Sequence, residues 1–466
     1  MSRSIRRKAG VAITSIALLT MALAGCSGGT TPDASGGAGG GNAIDTSNAS
    51  GEVSYWLWES NQQPAYQQCA DAFHAANPDL SVKITQYSWD DYWTTLNTAF
   101  ASATAPDVFT NHLAKYPEYI TQGVVEPLDD TLSKDGVKVD IFQPGLADLW
   151  VGQDGKRYGL PKDFDTVAIF YNKTLIKEAG VAESDLGTLA WNPTDGGTYE
   201  KMIAHLTVDA NGKRGDEAGF DKTKVKVYGL GLEGGSGGAY GQTQWSMYSG
   251  TTGWTATDKT PWGTHYNFDK PEIQSTIAWW RTLIEKGYMP SLESVTGQSA
   301  GDIFGAGKYA MLTNGSWSIN QMFSYKGVEV GLAPTPTGPT GKRSSMYNGL
   351  ADSIWTGSKN KPGAAKWVEF LASPACQDIV GKAGAVFPAI PSGTTLAEAA
   401  FQAKGVDVSA FTVHLKDNST FLFPITDHAS EITNIITPAM DAILTGKATA
   451  DSLTAANTQV NALFEG

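Results

Sequence analysis

Aromatic and planar polar residues stand together where the predicted strands end. Trp58 and Glu59 end the first predicted strand, Asn111 and His112 end the third, and Trp245 closes an aromatic, amide-rich stretch. Ligand sites of open α/β sheets lie beyond the carboxyl ends of strands, so these side chains are candidates for a single site. Carboxylates and amides can bond two neighbouring hydroxyls, whereas flat rings cover C–H faces. Together they predict a site for a neutral, hydroxyl-rich molecule.

Each candidate also has a purely structural interpretation. Trp56 and Trp58 alternate with other apolar residues, so one face of their strand is core, and either tryptophan is the exposed one. A lone histidine such as His112 is more often a structural polar residue than a ligand group. The pair Trp279–Trp280 lies in an amphipathic helical pattern, which indicates core packing.

One acidic loop has some of the features of a calcium site. Asp209, Asn211 and Asp216 place oxygen side chains around a glycine. The glycine, however, follows Asn211 directly instead of occupying the sixth loop position, and Lys213 replaces the usual third oxygen side chain. The pattern therefore favours a solvated turn, and we predict neither a metal nor a cofactor.

The candidate residues need an α/β framework to bring them together. Strand-like and helix-like segments alternate from residue 53 to residue 179, and helical patterns return at 272–286, 363–372 and beyond residue 427. The predicted strands span residues 53–58, 81–87, 107–110 and 167–171. This alternation predicts a mostly parallel sheet with right-handed crossovers.

The first 25 residues have the layout of a secretory signal peptide. A basic start (Arg3–Lys8) precedes an apolar run (Val11–Ala24), and Cys26 follows Gly25 directly. This pattern resembles a bacterial lipoprotein signal, which predicts cleavage before Cys26 and lipidation of its thiol. The alternative is an ordinary signal peptide followed by a chance cysteine. Residues 26–50 are rich in glycine, serine and threonine and predict a disordered linker.

The net charge and the cysteine content limit which ligands and metals the protein is expected to bind. The 466 residues carry a net charge of −13, and loss of the four basic signal residues takes it to −17, which argues against nucleic acid and anionic lipid. Only 17% of residues are charged, which favours a neutral polar ligand. With Cys26 assigned to the lipid, Cys69 and Cys376 remain, and they form either one bridge or two separate buried thiols. The sequence has no CxxC motif and no Cys/His cluster, which argues against zinc.

Several phrases in the folded part resemble the solute-binding lipoproteins of carbohydrate ABC importers, the family that includes maltose-binding protein. They occur in the family's order and cover most of the chain from Gly51 onward. They are Ala105–Phe109 (APDVF), Tyr158–Pro161 (YGLP) with Ile169–Lys173 (IFYNK), Phe304–Met311 (FGAGKYAM) with Asn314–Trp317 (NGSW), and Phe370–Pro374 (FLASP) within a late helix.

The resemblance implies two α/β lobes joined by several crossovers, as in type II periplasmic binding proteins. We predict a first lobe of residues 51–164 plus 338–387 and a second of residues 165–337 plus 388–466. Crossings are expected at 163–166, 334–339 and 387–391. On this division Cys69 and Cys376 share a lobe, which favours the bridge between them.

The resemblance also adds site residues. Asp163 and Asp165 stand at the first crossing, and Asp165 matches an acidic crossing residue of the family, although Asp163 could serve only as a cap or an ion-pair partner. The phrase Gly315-Ser316-Trp317 matches a segment in which the family stacks an aromatic ring on a sugar. Asn348 follows the return crossing.

These observations predict a receptor on the outer face of the cell membrane, not an enzyme. It would be a lipid-anchored monomer that binds a sugar between its lobes and delivers it to the permease subunits of an ABC importer. The several candidate tryptophans favour an oligosaccharide. The alternatives are a secreted glycoside hydrolase, which needs two carboxylates around the scissile bond, and a binding protein for another small solute such as a peptide or a metal chelate.

Overall fold

The computed structural model describes residues 43–465, apart from the side chain of Asp90. The signal peptide, Cys26 and the linker as far as residue 42 lie outside this range. None of the helices within it is long and apolar enough to cross a membrane.

Twelve strands are present among the described residues. In chain order they are β1 (Gly51–Leu57), β2 (Leu80–Gln86), β3 (Val108–His112), β4 (Leu160–Asp165), β5 (Val167–Asn172), β6 (Val208–Asp209), β7 (Val225–Leu230), β8 (Tyr309–Gly315), β9 (Val330–Ala333), β10 (Ser345–Ile354), β11 (Phe387–Pro388) and β12 (Thr420–Leu422). They form two sheets, one with the order β11-β4-β10-β3-β1-β2, in which β12 also pairs with β10, and one with the order β6-β7-β8-β5-β9.

Both sheets are mixed, which corrects the prediction of a mostly parallel sheet. The parallel arrangement holds for β1, β2 and β3, as the strand–helix alternation predicts. Strand β10 comes from a distant part of the chain and inserts antiparallel between β3 and β4. In the second sheet, β5 is antiparallel to both of its neighbours. Strands that join a sheet after the chain has visited the other one are not bound by the crossover rule.

Seventeen α-helices cover the sheets in the described part of the chain. They are α1 (Gln63–Ala76), α2 (Trp89–Ala101), α3 (Tyr116–Thr121), α4 (Asp129–Asp135), α5 (Lys173–Glu178), α6 (Gly197–Leu206), α7 (Ser246–Gly250), α8 (Pro271–Glu285), α9 (Leu292–Val295), α10 (Ala300–Gly305), α11 (Ile319–Met322), α12 (Lys361–Leu371), α13 (Pro374–Ala383), α14 (Pro391–Ala403), α15 (Ser409–Lys416), α16 (Ala429–Leu444) and α17 (Leu453–Ala462). Local chemistry sets several starts: Ser88 caps α2, Asn172 caps α5, and a proline opens α12.

The chain passes from the first sheet to the second within three residues. Asp165 ends β4 in the first sheet, Thr166 follows, and Val167 begins β5 in the second. Side chains alternate along β5, so Ala168 and Phe170 join the hydrophobic core around the first sheet, while Ile169 joins the core around the second. The lobe boundaries and the predicted crossings stay predictions; the passage between the sheets described here spans Asp165–Val167.

Within residues 43–50, which the sequence predicts as part of the disordered linker, Ile44 and Thr46 are buried. Ile44 is buried in the first core, and its N–H donates to Thr131 Oγ1 at 3.0 Å. Thr46 donates through Oγ1 to Asp135 at 2.6 Å. The folded part of the chain therefore begins before Gly51, because one buried apolar side chain and two hydrogen bonds attach this segment to α4.

A disulfide joins Cys69 of α1 to Cys376 of α13. Of the two alternatives left open by the sequence, separate thiols and a bridge, the structure has the bridge. Both residues are fully buried, and they lie 307 positions apart in the sequence. A cross-link that closes so long a loop restricts the unfolded chain strongly.

The first prediction concerns this bridge. The double substitution Cys69→Ala/Cys376→Ala should lower the free energy of unfolding by about 2–4 kcal/mol, because the unfolded chain regains its freedom. Urea denaturation measures the change, and reductant added to the natural sequence should reproduce it. Two titratable thiols in denatured, unreduced protein would contradict the bridge.

Candidate functional site

A cavity of about 590 Å³ lies between the two sheets. Its size falls within the range of small-molecule sites. Of the eleven ligand-contact residues predicted from sequence, those that line it are Trp58, Glu59, His112, Asp165, Trp317 and Asn348. The first sheet contributes strand ends to its wall, and the second contributes the segments that follow β7 and β8.

Trp58 is the aromatic centre of the wall formed by the first sheet. Its ring lies 5.1 Å from Trp89, 5.0 Å from Tyr92 and 5.2 Å from Trp93, measured between ring centroids. Trp58 is therefore packed on one side and lines the cavity on the other. Trp56 does not line the cavity and packs against Tyr87 with the rings tilted, so Trp58 is the tryptophan of this strand that meets the cavity.

Asp165, Asn348 and His112 form a polar row across three adjacent strands of the first sheet. Asp165 pairs with Asn348 between β4 and β10, and the amide nitrogen of Asn348 lies 3.1 Å from His112 Nε2. His112 Nδ1 accepts from the N–H of Ala114, and burial lowers the pKa of the imidazole to about 3. The ring is therefore neutral at physiological pH. Asn111 points to the opposite face and donates to Ser353 Oγ, away from the cavity.

Two buried carboxylates, both in β4, precede the crossing between the sheets. Asp165 is 3% exposed and accepts from Ser316 Oγ at 2.6 Å, while Asp163 accepts from the N–H of Leu350 at 3.1 Å. Burial raises the pKa of both carboxyls, and for Asp165 the charge of Asp163 adds to that effect. Only Asp165 lines the cavity, so Asp163 acts as a structural partner behind it.

A buried lysine braces the wall behind these carboxylates. Lys162 is the extra residue of a bulge in β4, because Asp163 and Pro161 pair with consecutive residues of β10. Its ammonium donates to Tyr55 at 2.8 Å and to Thr110 at 3.0 Å, and both hydroxyls donate to Asp352. The ammonium lies 3.8 Å from Asp352 Oδ1 and 3.8 Å from the centre of the Tyr66 ring. One buried cation thus ties together β1, β3, β4 and β10.

The segment after β8 supplies the aromatic group from the second sheet. A Cβ placed on Gly315 would lie 1.9 Å from Trp317 Cζ3, so the indole packs flat over the glycine. The N–H of Ser316 donates to the carbonyl of Thr166 at 3.0 Å. Gly315 and Ser316 therefore position Trp317 beside the crossing without lining the cavity themselves.

Trp245 does not line the cavity but packs in the core beneath the glycine-rich loop that does. It is 1% exposed and packs on Trp254 and Phe268 in the second core. A Cβ on Gly241 would lie 2.1 Å from the Trp245 ring, so the glycine-rich loop rests directly on the indole. This loop lines the cavity through Gly237 and through residues 240–244.

Sequence reasoning missed two cavity residues that its own strand-end rule could have found. Trp89 follows β2 by three residues, and Glu233 follows β7 by the same interval. Glu233 accepts from Thr243 Oγ1 at 2.7 Å, and burial raises the pKa of its carboxyl, as it does for Glu59. Lys115 also lines the cavity, and burial lowers the pKa of its ammonium.

The loop that resembles a calcium site is a hydrogen-bonded turn. The carboxylate of Asp209 accepts backbone N–H groups from Asn211 at 2.8 Å, Lys213 at 2.9 Å and Asp221 at 2.9 Å. Asp216 pairs with His205 at 2.8 Å. Within residues 43–465 no group of three or more His, Cys, Asp or Glu side chains is placed to hold a metal.

The chain matches known binding proteins along most of its length. Residues 59–378 match the family described as bacterial extracellular solute-binding protein. A putative binding protein of Brucella abortus (strain 2308) is 26% identical over 425 residues, which are 88% of this chain and 92% of the relative. The maltodextrin-binding protein MdxE of Bacillus subtilis (strain 168) is 25% identical over 372 residues, 79% of this chain and 77% of the relative.

Solved structures share the fold at lower identity. An ABC substrate-binding protein from Listeria monocytogenes, in complex with cycloalternan, is 20% identical with a TM-score of 0.75, over 89% of this chain and 99% of that chain. The GacH receptor of Streptomyces glaucescens, solved unliganded and with acarbose, is 21% identical with a TM-score of 0.71. The match covers 89% of this chain and 98% of that chain.

The second prediction tests the brace behind the cavity. Lys162→Met leaves Asp352 buried without its cation and should lower the free energy of unfolding by about 3–5 kcal/mol. Asp352→Leu should cost a similar amount. The double variant should recover much of the loss, because no unpaired charge is then buried. Urea denaturation of the four proteins gives the coupling, and strictly additive losses would contradict the pairing.

Proposed function

Because the chain belongs to the bacterial extracellular solute-binding proteins, whose type II periplasmic-binding fold it shares, we propose that its cavity binds a neutral oligosaccharide for an ABC importer. The observation that carries the proposal is the mixed lining of one cavity. Trp58 and Trp317 line it from different sheets, and Glu59, Asp165 and Asn348 line the same cavity. Flat apolar faces and planar acceptors at one site match the two kinds of surface on a sugar.

The buried carboxylates suit hydroxyl donors. A carboxylate accepts stronger hydrogen bonds than a neutral oxygen does, and leaving it without donors in a buried site is costly. Asp165 is 3% exposed and has Ser316 as a protein donor. Sugar hydroxyls at the cavity would supply further donors to it and to Glu59. The neutral His112 and the Asn348 amide can complete such a network.

Binding would couple the two sheets. A ligand that contacts Trp58 and Trp317 together bridges both walls, and it therefore favours the closed arrangement over an open one. The closed form would then dock on the permease subunits and release the sugar to them. The short crossing at Asp165–Val167 offers the chain a place to bend.

The lipid anchor belongs to the same proposal. Lipidated Cys26 would hold a monomeric receptor at the outer face of the cell membrane, and a tether ending near residue 42 would let it reach the permease. Confinement raises the effective concentration of receptor at the transporter. A curated relative, from Streptococcus pneumoniae (strain ATCC BAA-255 / R6), is described as a maltooligosaccharide ABC transporter solute-binding lipoprotein.

We propose that the cavity binds its ligand without catalysing a reaction. A glycoside hydrolase would also hold two carboxylates in a cavity, one with a raised pKa, and Glu59 and Glu233 meet that minimum requirement here. The family and the structural relatives are binding proteins. Assay of reducing ends therefore accompanies every binding measurement below.

The third prediction is the binding test itself. Calorimetric titration of purified neutral oligosaccharides should give saturable binding without release of reducing ends. Trp317→Ala should weaken binding by roughly tenfold or more, because one stacking face is lost. The melting temperature of the unliganded protein should stay nearly unchanged, since Trp317 is only partly buried.

Two comparisons sharpen this test. Gly315→Ala should weaken binding while keeping the indole, because its Cβ displaces the ring. Trp191→Phe, in the second core and away from the cavity, should leave affinity unchanged while removing one tryptophan from the fluorescence. Equal affinity in Trp317→Ala would remove Trp317 from the site, and new reducing ends without saturable binding would favour a hydrolase.

A further inference from the structure

Trp89 is the large hydrophobic residue that stands exposed in the described part of the chain. Its side chain is 45% exposed, at the first position of α2. A single exposed apolar residue needs no explanation by itself. This one, however, lines the cavity, and it is held by edge contacts to Trp58 at 5.1 Å, Trp93 at 5.3 Å and His112 at 5.6 Å.

A second cavity of about 510 Å³ adjoins the first at Trp89. Two indoles, two carboxylates, an amide and a hydroxyl line both cavities and define their junction. They are Trp89, Trp317, Glu59, Glu233, Gln242 and Thr243. The junction therefore repeats the combination of flat rings and planar acceptors found in the first cavity.

The far part of the second cavity is polar and uncharged. Asn61 and Gln298 line it together with Ser299, Asn314 and Gln321. Among residues 43–465, no lysine, arginine or histidine lines it, whereas Glu59 and Glu233 line its junction with the first cavity. A phosphate, sulfate or uronic acid would therefore meet like charge without a cation to balance it. A neutral polyhydroxylated unit fits this lining.

We propose that the second cavity is a subsite for the next units of the oligosaccharide and that Trp89 is the residue that selects for chain length. The inference rests on the proposed function and deepens it. A monosaccharide held between Trp58 and Trp317 lies in the first cavity and leaves the second cavity empty. A longer chain passes the junction, covers the exposed face of Trp89 and removes that apolar surface from water.

The position of Trp89 suits this role. Its ring is fixed by three aromatic neighbours, so little side-chain freedom is lost when a ligand covers it. Ser88 caps the helix that carries it, with its oxygen accepting the N–H of Asp91. The ring is thus available in its binding position before the ligand arrives.

The test compares one neutral sugar as its mono-, di- and trisaccharide, in calorimetric titrations of the mature protein. In the natural sequence, affinity should rise with chain length. In Trp89→Ala, the ratio of trisaccharide to monosaccharide affinity should fall by roughly tenfold, and Trp89→Phe should keep most of that ratio. Gln321→Ala, which lines only the second cavity, should weaken the trisaccharide and spare the monosaccharide.

The outcomes separate the two claims. An unchanged ratio in both Trp89→Ala and Gln321→Ala, with a melting temperature equal to that of the natural sequence, overturns the subsite while the proposed function stands. A natural protein that binds no sugar of any length overturns the proposed function, and the subsite falls with it. If Trp89→Ala unfolds, Gln321→Ala decides alone: an unchanged ratio in that variant overturns the subsite, and a lowered ratio supports it.

Discussion

The structure depends on one buried stretch of chain that belongs to both sheets. Residues 160–172 are buried at every position, and they leave the first sheet and enter the second on either side of Thr166. The backbone on both sides is held to other elements: the N–H of Ser316 donates to Thr166, and the N–H of Val167 donates to Ser345 Oγ. Asp165 stands at this joint. The cavity lies beside it because the two sheets meet there.

Buried charged side chains near this crossing bear both on the stability of the fold and on the proposed binding of a ligand. Lys162 and Asp352 are paired within the first wall, so their charges are compensated inside the protein. Asp165 and Glu59 lie at the cavity, where a ligand can supply hydrogen-bond donors. In the proposed function, the paired Lys162 and Asp352 stabilise the wall, and the cavity carboxylates gain hydrogen-bond donors when the ligand binds. The cost of burying an uncompensated charge accounts for the pairing and motivates the proposal of a hydroxyl-rich ligand.

The strand-end rule predicted part of the cavity lining, and the residues that do not line the cavity have local structural reasons. Trp58, Glu59 and His112 lie where the rule places them. Asn111 lies in β3 next to His112 but faces the other way, because neighbouring side chains of a strand alternate. Trp245 belongs to a segment rich in polar aromatic residues, yet the glycines above it let the backbone cover its ring.

Longer-range features were harder to predict. Strand β10 (SMYNGLADSI) mixes glycine, asparagine and aspartate with apolar residues, so it lacks the pattern of a buried strand. Its position between β3 and β4 depends on the chain's return from the second sheet.

The central measurement is a crystal structure of the protein with the sugar that binds most tightly. The account predicts a sugar ring between Trp58 and Trp317 with a hydroxyl donating to Asp165. Sugar bound elsewhere, with this cavity holding only water, would contradict it.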